Sequence, residues 1–299
     1  MRATQWMTAV QKHWESAFPR CRQTACGSRR MWRQVYRQDV GIRLDGHWYC
    51  SPQCFEIAAR QSFQRALVAA LNPPPIRHRI PLGLVMLSRG QLTNRQLRMA
   101  LEAQQTEGRG RIGHWLTELG FATEQQVTVA LGLQWSCPVL SRPEPRDSAC
   151  AGLLPFPLLE NFRMLPVEFV NTTRTLYLAF CQGVEYVALC AIEHILGCHT
   201  EACLVSDSVM KSGLQQIEQT RRTGELLFES CRNPAEMARV ACGYALKLGV
   251  GQVRLARCGR YLWTRLELRD EHTDLLFRIP PGPEGAEHSR PQFPPKQAS

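Results

Sequence analysis

Four cysteines near the start of this 299-residue chain are spaced for chemistry. Cys21 and Cys26 form a C-x4-C pair, Cys50 and Cys54 a C-x3-C pair, and 23 residues separate the two. Two short thiol pairs joined by a returning hairpin are what a tetrahedral four-cysteine zinc site requires. Gly27-Ser28 and Ser51-Pro52 supply the turn chemistry. Between them "IRLDGHWY" reads as two short strands around Asp45-Gly46, a strong hairpin dipeptide. Both spacings depart from the commonest C-x2-C knuckle, and four unrelated reduced cysteines are the alternative reading. His47 is a substitute ligand only in principle, because it falls at the hairpin. Four thiolates leave no open coordination position for water, so the expected zinc is structural. A segment of about 60 residues also cannot bury enough apolar surface alone.

A second constellation is written twice. "PLGLVMLSRGQLTNRQLRMALEAQ" (81–104) recurs 30 residues later as "RIGHWLTELGFATEQQVTVALGLQ" (111–134). The identical pairs are Gly83/Gly113, Gly90/Gly120, Thr93/Thr123, Gln96/Gln126, Ala100/Ala130, Leu101/Leu131 and Gln104/Gln134. Each copy reads as a short helix (82–89; 112–119) stopped by Gly90 or Gly120 in the left-handed position that follows a helix. Thr93 or Thr123 then caps a second helix, with Gln96 or Gln126 completing a capping box. Neither unit can build a core alone, so the two should pack as a pseudo-symmetric pair. That brings two equivalent helix N-termini together, and free N–H groups there attract phosphate.

This tandem pattern, opening Pro81-Leu82-Gly83 and Arg111-Ile112-Gly113 and closing Leu/Val-x-x-Ala-Leu-x-x-Gln, resembles the MshEN domain, whose motif opens Arg-Leu-Gly. That domain is the N-terminal domain of GspE-class ATPases of type II secretion and type IV pilus assembly. The resemblance runs through "QWSCPVL" (134–140) and an α/β half to about Ile217, nearly half of the chain. It implies binding of cyclic di-GMP by the opening Arg-Leu-Gly, the aliphatic positions and the closing Gln. Carried over by residue, the ligand set is Leu82, Gly83 and Gln104 from the first copy and Arg111, Ile112, Gly113 and Gln134 from the second. The first copy opens on Pro81, where the family has arginine. A guanidinium can stack on guanine and fork to its O6/N7 edge, and proline can do neither. Losing one charge-assisted contact costs about 1.5–3 kcal/mol, or about 10- to 150-fold in affinity. Arg79, two residues earlier, is near enough in sequence to reach in. Gln91 and Thr117 also stand where the family prefers aliphatics.

The elements that must position these residues read as an α+β multidomain protein. A zinc-ribbon-like basic unit with its following helix spans 15–72, and a Pro-rich linker spans 73–80. The MshEN-like domain spans 81–219, with its α/β half at 150–219. Strands flank the turn Asn171–Arg174. A helix at 184–196, a strand at 200–206 and a helix at 207–218 complete that half. A small α+β domain covers 222–280, opening with a helix capped by Asn233 and followed by three antiparallel strands. Arg254, Arg257, Arg265 and Arg269 are expected on one exposed face of those strands. The tail 281–299 is Pro-rich, polar and of disordered type.

Charge and composition narrow the function. Of the +10 net charge, residues 1–80 hold +9, from thirteen Lys/Arg against four Asp/Glu. Arg29, Arg30, Arg33 and Arg37 interleave with Trp32 and Tyr36, a pattern open to nucleic acid or to plain solvation. Thirteen cysteines, an odd number, suit metal ligands plus buried reduced thiols in a cytoplasmic protein. No apolar run approaches the roughly 20 residues of a membrane helix, and the N-terminus lacks a signal-peptide core. The phosphate-cradling Gly-x-x-x-x-Gly-Lys-Ser/Thr string of the ATPases does not occur. The expectation is a non-enzymatic regulatory or adaptor protein, a cyclic di-GMP effector that partners a secretion or pilus component. The alternatives are a protein–protein module with a degenerate ligand site, or a nucleic-acid-binding regulator built on the zinc ribbon.

Overall fold

A computed structural model describes residues 21–26, 41–68, 79–141, 150, 152–220, 224–231, 233–268 and 271–279. The Gly27-Ser28 turn, the basic cluster from Arg29 to Arg37, most of the linker 73–80, Arg269 and the tail 281–299 lie outside these. The chain opens with a hairpin, β1 (Ile42–Leu44) and β2 (His47–Tyr49), followed by α1 (Pro52–Val68). Four helices of the duplicated segment come next: α2 (Leu82–Ser88), α3 (Asn94–Glu107), α4 (Ile112–Glu118) and α5 (Glu124–Trp135). Then follow α6 (Phe156–Phe162), β3 (Met164–Val170), β4 (Thr175–Phe180), α7 (Tyr186–Leu196), β5 (His199–Leu204) and α8 (Asp207–Thr220). The last elements are β6 (Glu225–Phe228), α9 (Pro234–Lys247), β7 (Gln252–Cys258), β8 (Tyr261–Leu268) and β9 (Glu271–Arg278). No helix among the described residues is long and apolar enough to cross a membrane.

The sequence separates 15–72 from 222–280, and the structure joins them. Described residues up to Val68 and from Leu226 onward make one compact unit, and Ala69–Glu225 makes another. The joining agent is a six-stranded sheet ordered β2-β1-β7-β8-β9-β6, in which β1 runs parallel to β7 through Arg43↔Gln252 and Leu44↔Val253. Asp45 and Gly46 turn the first hairpin with φ of 48° and 80°, the positive pair that a two-residue primed turn demands. One face of the sheet is covered by two helices. Phe55, Ala58, Ala59 and Phe63 of α1 recur at helical spacing, as do Met237, Ala238, Ala241 and Ala245 of α9. They pack on Val253, Leu255, Leu262, Leu266, Leu275 and Phe277, with the Phe63 and Phe277 rings edge-on at 5.4 Å.

The arginines of these strands are not a solvated face. Arg257 donates from Nη1 to the Ala66 and Leu67 carbonyls at 3.2 and 3.4 Å, satisfying the last turn of α1, and burial lowers its pKa. Arg254 pairs with Glu267 at 3.2 Å. Arg265, only 4% exposed, forks onto Asp274 at 2.8 and 2.7 Å, and the Trp263 indole donates to the same carboxylate at 2.7 Å. The strand register sets Arg265 opposite Asp274, so burial is met with pairing.

In the second unit β3, β4 and β5 form a sheet, antiparallel between β3 and β4 and parallel between β4 and β5 across α7. Pro166 has no N–H for the ladder, and the register slips between Pro166 and Glu168. Sequence reading begins the first strand at Phe162; instead α6 runs through Phe162, and the strand starts at Met164. At the β5 edge Leu204 bridges Val139 in parallel: the Leu140 N–H donates to the Leu204 carbonyl, and the Leu204 N–H to the Pro138 carbonyl, both at 2.8 Å. That ties the end of the duplicated segment to the sheet.

Candidate functional site

The duplicated segment folds with its helices crossed between the two copies. Short helix α2 packs on long helix α5 of the other copy, and α4 packs on α3. Buried residues repeat at the 30-residue interval: Met86 with Leu116, Leu92 with Ala122, Ala100 with Ala130. Thr93 and Thr123 each form a complete capping box with Gln96 and Gln126. The paired glycines are close-approach positions. A Cβ on Gly83 would come within 2.6 Å of Leu97, and one on Gly113 within 2.9 Å of Val127.

The closing glutamines carry a feature invisible in sequence. Gln104 donates from Nε2 to the Gly110 carbonyl at 2.9 Å, and Gln134 donates likewise to Ile80 at 2.6 Å. Gly110 and Ile80 immediately precede Arg111 and Pro81. Each copy's last residue therefore fixes the opening of the other copy, and the two bonds are equivalent under the repeat.

The predicted ligand residues divide accordingly. Leu82, Gly83 and Gly113 are buried in the helical core, whereas Ile112, Gln104 and Gln134 are half-buried. Arg111 is exposed at the N-cap of α4 and donates to the Gln182 carbonyl in the loop after β4. Pro81 occupies the matching N-cap of α2 with φ −55° and ψ 140°, against −98° and 156° at Arg111. Both caps have ψ near 150°, but proline closes φ from −98° to −55° and removes the backbone N–H together with the guanidinium.

Beside Pro81 lies an open cavity of about 710 Å³, with Arg79, Ile80, Leu84, Val85, Leu133 and Gln134 among its lining. Its apolar walls are accessible: Ile80, Leu84 and Leu133 are 66%, 52% and 50% exposed. The Arg79 guanidinium lies 3.1 Å from the centroid of the Trp135 ring and 5.7 Å from that of Tyr186. The sequence offers Arg79 only as a neighbour of Pro81; its stacking partners, 56 and 107 positions on, have no local signal.

The four N-terminal thiols meet. Their sulfurs all lie within 4.8 Å of one another, with Cys26 to Cys50 at 3.3 Å and Cys50 to Cys54 at 3.8 Å. Four sulfurs bound tetrahedrally at about 2.3 Å would sit about 3.8 Å apart, so the cluster fits a metal ion. Local chemistry builds it: the Cys26 N–H donates to the Gln23 carbonyl at 3.0 Å, and the Cys54 N–H to Ser51 Oγ at 3.3 Å. The Arg22 N–H, bonded to Trp48 at 3.0 Å, holds the first pair against β2. All four cysteines are unbridged and partly buried. Burial and the adjoining sulfurs push the Cys50 thiol up to about 12, so a bound cation must displace its proton. His47, exposed beside the hairpin turn, is not in the cluster.

No protein-family model matches the chain, and no curated protein matches its sequence. Solved structures do. One described as MshE with cdg (cyclic di-GMP) is 27% identical, over 46% of this chain and 99% of that one, with a TM-score of 0.41. The N-terminal domain of XpsE is 18% identical, over 47% of this chain and 98% of that one, at 0.37. A second crystal form of that domain is 17% identical over the same shares, at 0.28.

Proposed function

We propose that this chain is a non-enzymatic regulatory or adaptor protein whose duplicated helical segment binds cyclic di-GMP and serves a type II secretion or type IV pilus machine. The observation that carries the reading is the reciprocal pair of glutamine bonds, Gln104 to Gly110 and Gln134 to Ile80. They tie each motif opening to the closing residue of the other copy, which supports a ligand with two equivalent halves. Arg111 stands exposed there, with hydrogen-bonding edges suited to a guanine or a phosphate. The resemblance of the paired motifs to the MshEN domain supplies the identity of the ligand.

In this reading zinc, held by Cys21, Cys26, Cys50 and Cys54, is structural. The ion draws the segment before β1 onto the start of α1, and all four positions are filled by thiolate.

Titration calorimetry of the full chain with cyclic di-GMP, beside Arg111→Ala, tests the proposal. Micromolar or tighter binding that the variant weakens at least tenfold is expected. Silence from the intact protein would overturn it. The face would then be a protein-contact module, a reading favoured by the missing guanidinium at Pro81.

A further inference from the structure

The loss of arginine at position 81 leaves one half of the face without the group that reads a base, and the structure holds another guanidinium beside the gap. Arg79 lies against Trp135 at 3.1 Å and within 5.7 Å of Tyr186. It lines the cavity whose other walls include Leu84, Leu133 and Gln134. Among the described residues its N–H edges meet no hydrogen-bond or ion-pair partner. Its backbone is steadied one residue on, because Gln134 anchors the Ile80 carbonyl at 2.6 Å. The platform beneath it is built as well. Trp135 packs on Gly183, which has φ +123° and where a Cβ would come within 2.4 Å of the indole. Stacking on an aromatic face fixes the plane of a guanidinium while leaving its donors free.

We propose that Arg79 takes the base-reading place that Pro81 vacates, so that the arginine pair of this face is Arg79 and Arg111. This rests on the cyclic di-GMP reading. The exposed apolar side chains of Leu84 and Leu133 receive the flat faces of a purine, and the fork of Arg79 meets the O6 and N7 acceptors of guanine. The two arginines start from unlike states. Arg79 is held by an aromatic ring, whereas Arg111 must first release the Gln182 carbonyl. The two halves of the ligand are therefore captured by different means, although the two openings are tied by equivalent glutamine bonds.

The test compares cyclic di-GMP with cyclic di-AMP on the full chain, because adenine offers N7 but has an amine donor in place of O6. The intact protein should prefer the guanine ligand. Arg79→Ala should lose about 5- to 150-fold in cyclic di-GMP affinity, with a smaller loss for cyclic di-AMP, so that the preference collapses. Arg79→Lys, which keeps donors for O6 and N7 but not the planar stacked fork, should weaken cyclic di-GMP binding while keeping part of the preference. Arg79→Ala/Pro81→Arg should regain it, because position 81 holds the N-cap place of α2 that Arg111 holds in α4. Far-UV circular dichroism of each variant checks that the fold is intact. Equal losses for both ligands, or no loss, would overturn the assignment while leaving cyclic di-GMP binding standing. Failure of the intact protein to bind cyclic di-GMP would remove the underlying reading and this assignment with it.

Discussion

Asp274→Ala should be among the most damaging single substitutions in the six-stranded sheet, and its cost follows from what ends on that carboxylate. Asp274 is 3% exposed and Arg265 4%. The carboxylate accepts from Arg265 Nε at 2.8 Å, from Arg265 Nη2 at 2.7 Å and from the Trp263 indole at 2.7 Å. Removing one partner of a buried ion pair costs about 3–5 kcal/mol, because the other charge stays desolvated without its counter-ion. The indole N–H loses its acceptor as well, for about a further 1 kcal/mol. His272, with Nε2 3.7 Å from Asp274, brings no negative charge to replace it. Asp274→Asn keeps an acceptor for the indole and should fall between. Arg265→Met/Asp274→Leu removes both charges and should cost far less than Asp274→Ala alone. Urea unfolding read by tryptophan fluorescence and by circular dichroism measures all four proteins. The reasoning fails if Asp274→Ala costs under about 1 kcal/mol, or if the double variant is as unstable as the single.

Three further outcomes are expected. Gln91 Oε1 is buried with no hydrogen-bond partner among the described residues, whereas Phe121 at the matching place packs on the helical core. Gln91→Leu should therefore stabilise by about 1 kcal/mol, visible as a raised calorimetric melting temperature. Burial pushes Cys258 and Cys203 up to about 12 from an ordinary 9.0. Folded values above the unfolded one give a contribution complete below about pH 9 and lost as pH climbs toward 12. Melts across that range should fall, and less steeply for Cys203→Ala/Cys258→Ala relative to its own pH 8 value. The purified protein should hold about one zinc per chain by elemental analysis. Cys54→Ser should reduce that content, and acidification should release the ion as protons return to the thiols.

Features set by neighbouring residues were legible in the sequence. The Thr-x-x-Gln capping boxes, the Asp45-Gly46 turn, the Asn233 cap, β7 and β8 all rest on chemistry within a few positions. The meeting of the four thiols was legible too, because a hairpin is the short route between two pairs 23 residues apart. Three things were not. Arg265 looks solvated in sequence, and only the β8–β9 register reveals Asp274 opposite it. Gln104 and Gln134 look like ligand-facing amides, and their carbonyl acceptors are found only once the copies exchange helices. The junction of β1 with β7 has no local signature, because parallel pairing is written in neither strand alone.

That junction has a consequence for how the protein is made. Asp45 accepts from the Leu255 N–H at 3.0 Å across 210 positions of chain. On the ribosome, α1 and its hairpin emerge long before the strands and α9 that cover their apolar side. Phe55 and Phe63 must wait, exposed, while the whole of Ala69–Glu225 is synthesised and folds with mainly its own contacts. A metal ion captured early by the four thiols would hold the hairpin in shape through that delay, turning a structural cation into a placeholder for a sheet that does not yet exist.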